Sequence, residues 1–335
     1  MATVPSPPPA VIHSLVTFFL GGWDLAVCAD LTLQGIIFAQ IAHYVTLYKK
    51  DVLALRAFVA VLLIITTLKS AQGLVILWIQ NVEYFMNLNA ACNMFTNSWT
   101  TELNLTLAAL IAFYVQLFFC KRLWTISRNV YIVSVVVALF VFALVAAIVS
   151  SVFTFAGQSK NVTWIEIHLG TVFAGDVLLC GSTIYFLLYH SKHASLDTAG
   201  MLSSLMRLTF QSAVPAVLCA LISLVGTLAW NRTTPNAYVL LAVIANNVLP
   251  KLYAISAMWT LNSRRNIRQA HSSAGREANA ATNRSRYTNG IELTSPWMSS
   301  DFSARNEACT NGGGDDAVHR TTVITETSFP LSLKV

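Results

Sequence analysis

Ionisable residues stand inside long apolar runs of this sequence: Asp24, Asp30, Lys69, Glu102, Asp176 and Lys251, with His43 and His168 in or near the same runs. A charge placed in hydrocarbon costs about 2.5–3.5 kcal/mol on insertion scales, so each such residue marks a site with a partner to be found. One chemistry open to a buried lysine is a Schiff base. A protonated Schiff base at Lys251 would need a facing carboxylate. The third apolar run supplies only Glu102, near its outer end, and Asn247 rather than an aspartate stands one turn before Lys251. Retinal-type chemistry is therefore not expected. A zinc hydrolase would need three His/Asp ligands around an open position. His43 and His168 lie near opposite membrane faces, and His190 and His193 have only Asp197 nearby, which reads as a solvated loop. No metal and no cofactor are expected. With no nucleophile–base pair and no phosphate-binding loop, the chain is not expected to be an enzyme.

Ion pairing remains. At 1.5 Å rise per residue, Lys69 lies roughly 16 Å, Asp176 about 15 Å and Asp30 about 12 Å below the outer ends of their helices. The three share a layer. The first two runs are joined by a short loop, so Asp30–Lys69 is the first expected pair, with Asp176 as the alternative partner. Lys251 lies about 18 Å from the other end of its helix. Asn246 and Asn247 are expected to solvate it. Pro250 before it should kink the helix and free carbonyls for the ammonium.

The elements that position these residues follow from composition. The chain has 335 residues, 55% hydrophobic and only 11% charged. Its mean hydropathy is +0.60. A soluble fold of this size cannot hide so much apolar surface from water. Seven runs are long enough to cross a bilayer, at 22–47, 53–79, 100–120, 130–154, 166–189, 205–230 and 237–260. The stretch "VIHSLVTFFL" lacks a basic n-region, so no cleaved signal peptide is expected.

Basic residues orient the spans. Lys49, Lys50, Arg56, Lys121, Arg122, Arg128, Lys192, Arg207, Arg264, Arg265 and Arg268 fall on one side, against Lys160 and Arg232 on the other. The basic side is read as cytoplasmic, which puts the N-terminus outside. The sequons at Asn161 and Asn231 then fall in outer loops, where glycosylation occurs. Trp23, Trp78, Trp99, Trp164 and Trp230 mark outer helix ends, and Trp124 and Trp259 inner ones, as an aromatic belt does. The net charge of +6 follows from this loop bias, and no basic stripe with interleaved aromatics suggests nucleic acid. The six cysteines are scattered, and no structural disulfide is expected. From 266 onward the chain turns polar, small and aperiodic, which reads as a disordered cytoplasmic tail.

Two familiar seven-span designs fit poorly. Pro250-x-x-Tyr253 is loosely like the seventh helix of G-protein-coupled receptors, but Val248 and Leu249 separate Asn247 from Pro250. The third span closes "FFCKRLWTISRN", without Asp/Glu-Arg-Tyr. For a transporter, no pair of Gly/Pro-broken helices recurs in two matching halves.

A more specific likeness rests on order and spacing. The first span carries Gly35, Gln40 and Tyr44, then Asp51 after the turn. The third closes with Val115-Gln116, Phe118-Phe119, Arg122-Leu123-Trp124 and Ser127. Asp176 opens the later half, and the last span ends with Leu261, Asn262 and Arg264. In these features the chain, over residues 17 to 268, resembles the basidiomycete fungal multi-pass membrane proteins grouped as domain of unknown function 6534. The resemblance implies a seven-helix fold and no established biochemical activity. It also implies that the Lys-Leu-Tyr and Leu-Asn-x-Arg stretches build the fold.

The reading is an all-α seven-transmembrane-helix bundle, N-terminus outside and C-terminus cytoplasmic. Residues 1–16 form an outer segment, 17–265 the bundle and 266–335 the tail. A receptor-like or sensory role is expected, with a small or lipidic ligand in an outer-half pocket around Asp30, Lys69 and Asp176, and a cytoplasmic partner at the tail. The alternatives are a transporter or channel using the buried charges, and a purely structural membrane protein. The partner in every case is the lipid bilayer of the plasma membrane or another secretory-pathway membrane.

Overall fold

The computed structural model describes residues 14–49, 51–85, 87, 90–91, 94, 99–156, 161–193, 214–229 and 237–264. All of them fall within one compact unit, Met1–Gly275. The expected tail at 266–335 and the sequon at Asn231 lie outside the described residues.

The described residues are helical, with no strand among them. A π-helical turn, Leu15–Leu20, leads into α1, Gly21–Leu47. Helix α2, Leu53–Trp78, runs on into a second π-helical turn, Ile79–Glu83. Then come α3, Trp99–Ser127, α4, Val130–Phe155, and α5, Asn161–His193. Helix α6 is described over Val214–Leu228, and α7 spans Ala237–Asn262. Six of these helices are long and apolar enough to cross a membrane, and α6 is a shorter apolar helix over its described part. The helices overrun the expected spans at several ends. Helix α3 continues to Ser127, and α5 starts at Asn161, so the first expected glycosylation site opens a helix.

Why the chain chooses this form is a matter of solvent. In hydrocarbon each backbone N–H and C=O must find a partner within its own segment, and a helix supplies one for all but its ends. The outward faces are apolar: Leu25, Ile64, Val135 and Val152 are all exposed. Such a surface belongs in lipid. Trp78 and Trp99 at one end of the bundle, and Trp124 and Trp259 at the other, are exposed where headgroups would lie. The α3–α4 turn is short. Arg128 (φ 54°) closes α3 in the left-handed conformation, and the Asn129 side chain caps α4 by accepting from the Tyr131 amide at 3.0 Å.

Helix α1 packs most extensively on α7, and α2 beside it. Helix α3 touches α2, α4, α5 and α7, while α5 packs on α4 and α3. The ends of α1 and α7 are tied together, because Asn262 Nδ2 donates to the Gln40 carbonyl at 3.0 Å. The two helices therefore run in the same direction, as the first and seventh of an alternating series do. Helix α7 is the most enclosed: 56% of its apolar window is buried, against 33–50% for the other long helices. The core around it includes Ile37, Ile41, Leu62, Val115, Met258 and Leu261. Small residues permit the closest approaches. A Cβ at Gly226 would stand 2.9 Å from the Tyr238 carbonyl oxygen, so only glycine lets α6 meet α7 there.

Candidate functional site

Two buried polar centres inside the bundle and one latch at its base stand out among the polar contacts. The first centre is built from pairs spaced i, i+4, which put two side chains on one helix face. Asp30 and Gln34 come from α1, Thr66 and Ser70 from α2, and Asn247 and Lys251 from α7. Lys69 on α2 and Asn104 on α3 complete it.

Lys69 Nζ donates to Asp30 Oδ1 at 2.7 Å, and Ser70 Oγ donates to Asp30 Oδ2 at 2.6 Å. Lys251 Nζ donates to Gln34 Oε1 at 2.6 Å, to the Thr66 carbonyl at 2.7 Å and to Ser70 Oγ at 2.7 Å. That uses all three of its N–H donors. Its 3.4 Å distance to Asp30 Oδ2 is then a charge contact rather than a fourth hydrogen bond. Two ammonium groups thus share one carboxylate, and Ser70 relays between them. Asn247 stands 3.4–3.5 Å from Lys69 through its carbonyl and its Oδ1, and its Oδ1 accepts from Asn104 Nδ2 at 3.1 Å. Asp30, Lys69 and Lys251 are 3%, 2% and 0% exposed, so no solvent reaches this cluster.

The structure thus pairs Asp30 with Lys69, and brings in Lys251, which the depth argument held apart. The carbonyl that Lys251 takes belongs to Thr66 on α2, not to a carbonyl freed by Pro250, and Asn247 turns to Lys69 instead. The reason is the α1–α7 contact, which aims Lys251 across the bundle. The sequence signal that reveals the whole set is polar i, i+4 pairs recurring inside three apolar runs.

Asp176 does not join this layer. Helix α5 packs on α3 and α4, so α3 stands between Asp176 and α2. Starting α5 at Asn161 rather than 166 also sets Asp176 deeper than expected. It forms the second centre instead. Gln116 Nε2 on α3 donates to Asp176 Oδ1 at 3.1 Å, and the Tyr253 hydroxyl on α7 donates to Asp176 Oδ2. Both donors are neutral. No cation pairs with Asp176 among the described residues, where the ion pairs are Lys69–Asp30, Lys251–Asp30 and Arg264–Asp51.

A pocket opens beside Asp176, with about 550 Å³ of empty space including its mouth. Its walls are Gln116, Phe119 and Arg122 from α3, Asp176, Leu179, Cys180 and Thr183 from α5, Ala216 and Val217 from α6, and Tyr253 and Ser256 from α7. Neither Asp30 nor Lys69 lines it, so the expected single pocket around all three residues is corrected to one around Asp176 alone. Apolar walls with a few convergent polar groups are the usual make-up of a small-molecule site.

The histidines are apart. His168 is buried with its Nδ1 2.7 Å from the Ala143 carbonyl, tying α5 to α4, while His43 is exposed. No group of three potential metal ligands occurs among the described residues. Cys28, Cys120, Cys180 and Cys219 are free thiols, and Cys92 and Cys309 lie outside the described residues.

The latch joins α1, the loop after it and the end of α7. Arg264 Nη2 lies 2.7 Å from Asp51 Oδ2, which also accepts from the Tyr44 hydroxyl at 2.8 Å. The guanidinium sits 5.2 Å over the Tyr48 ring, and the Tyr48 hydroxyl donates to the Asn262 carbonyl at 3.0 Å. Burial by itself pushes the Asp51 carboxyl up, but the hydrogen bonds from Tyr44 and Arg264 and the Arg264 charge outweigh it and hold the group below its ordinary value. A carboxyl depressed on folding stabilises the fold above its unfolded pKa of about 3.9, and that contribution is lost as pH falls through the folded value. Asp51→Asn should therefore melt below wild type at neutral pH, and the gap should close below about pH 4. Melting curves of both proteins in detergent from pH 7 to 3 test this; a constant gap would remove Asp51 from the acid response.

Neither curated proteins nor solved structures returned a match to this chain. Residues 172–266, which carry Asp176, Lys251, Tyr253, Asn262 and Arg264, match the family model described as Family of unknown function (DUF6534).

Proposed function

We propose that this chain is a seven-helix integral membrane protein of receptor-like or sensory role, with its N-terminus outside, that takes a small or lipidic ligand in the pocket between α3, α5, α6 and α7. The observation that carries it is the contrast between the two buried centres. The Asp30 cluster is buried and paired, as a packing device is. Asp176 is kept beside an open pocket instead. With the basic loops read as cytoplasmic, the pocket, near the C-terminal halves of α3 and α7, lies in the inner half rather than the expected outer half, toward the output side.

The test is binding to purified protein in non-ionic detergent, with six- to ten-carbon alcohols and lysolipids as probes and the melting temperature as readout. At least one probe should raise it saturably. Val217→Trp, which fills the pocket from its edge, should fold and lose that rise. A folded Val217→Trp that responds like wild type would end the pocket reading. A second reading, transport, draws on polar groups at successive depths: Asp24 bonded to Gln80 and Asn81 at 3.0 Å, then the Asp30 cluster, then Asp176. It requires solute flux in proteoliposomes that stops with Asp176→Asn.

A further inference from the structure

We infer that the pocket beside Asp176 selects a ligand carrying a protonated amine, held by the Asp176 carboxylate; this rests on the pocket being a ligand site. An ionised carboxylate offers about four acceptor positions. Asp176 fills one on each oxygen, from Gln116 and Tyr253, and both donors are neutral. Asp176 is 4% exposed, yet it forms part of the pocket wall. Asp30, also a buried carboxylate, is met by two lysines. Asp176 has no such cation among the described residues, and the space next to it is where one fits.

The walls narrow the choice. Phe119, Leu179, Ala216 and Val217 offer an apolar lining for a hydrocarbon chain or ring. Gln116, Phe119 and Arg122 succeed one another along α3, so Arg122 lines the pocket about 9 Å along the axis from the carboxylate's Gln116 partner. The fitting ligand is therefore an amine amphiphile. Charge-assisted hydrogen bonds of ammonium to carboxylate are roughly twice as strong as neutral ones, which supplies the selectivity.

The probes are hexylamine, hexanol and hexanoate at pH 7.5, where the alkylammonium group stays charged, added to the full chain in non-ionic detergent. Hexylamine should raise the melting temperature saturably, ahead of the other two. Asp176→Asn should weaken its apparent affinity by on the order of tenfold or more. If hexanol matches hexylamine and both are lost in Val217→Trp, the pocket stands and the amine inference is overturned. If hexanoate leads, the pocket prefers an anion and the inference is overturned. If no probe moves wild type apart from Val217→Trp, both the inference and the pocket reading fall.

Discussion

Asp30→Asn is expected to be the most damaging conservative substitution in the bundle. The side chain keeps its shape, but Lys69 and Lys251 are then left facing one another without the carboxylate they share. Removing one partner of a buried ion pair typically costs about 3–5 kcal/mol, and here a single change strands two cations. Lys69→Met should cost less. It leaves Asp30 with Lys251 at 3.4 Å and with the Ser70 hydroxyl, a balanced pair. Lys251→Met should fall between them, because it also strips a donor from Gln34 Oε1. The double variant Asp30→Asn with Lys69→Met should recover part of the single Asp30→Asn loss, since it removes one of the stranded charges. Thermal melts in detergent give the order directly. If Asp30→Asn melts no lower than Lys69→Met, the carboxylate is not the hub of the cluster.

The same substitution at Asp176 should have the opposite sign. Asp176→Asn is expected to melt at or above the wild-type temperature. Its Oδ1 can still accept from the Tyr253 hydroxyl, and its amide can donate to Gln116 Oε1 once the Gln116 amide turns over, so both hydrogen bonds survive. No cation is stranded, and a buried charge is removed. Tyr253→Phe should instead lower stability by about 1–3 kcal/mol, the usual cost of leaving a buried acceptor without its donor. A fold that keeps a charge at a cost keeps it for use. A collapse of Asp176→Asn comparable to that of Asp30→Asn would show that Asp176 is held by a cation in the resting protein, and the pocket would lose its claim to one.

The Asp30–Lys69 pair is legible in the sequence for a plain reason. A five-residue connection, 48–52, forces α1 and α2 to be neighbours, and helical rise puts both residues at similar depth. Lys251 is not placed by the same arithmetic. Counting from its helix end sets it toward the inner side, but a lysine stem reaches across several ångströms, and only the packing of α7 on α1 shows which way it reaches. Asp176 is misplaced for two reasons. The start of α5 is read five residues late, and depth says nothing about which helices adjoin it. The latch is a middle case. Gln40, Tyr44, Asp51, Asn262 and Arg264 stand out in the sequence only as spacings far apart in the chain, and the family model covers only the last two. The fold gathers them at one point.

Composition and run length decide the solvent, the helical class and the approximate ends of the spans, because each depends on a segment's own residues and on hydrogen bonds closed within it. Partners are another matter. Lys251 meets Asp30, Asp176 meets Gln116 and Tyr253, and a pocket opens beside Asp176. Those outcomes depend on which helix faces which and at what rotation. Side chains on several segments decide that jointly through packing, and no single run of residues contains it.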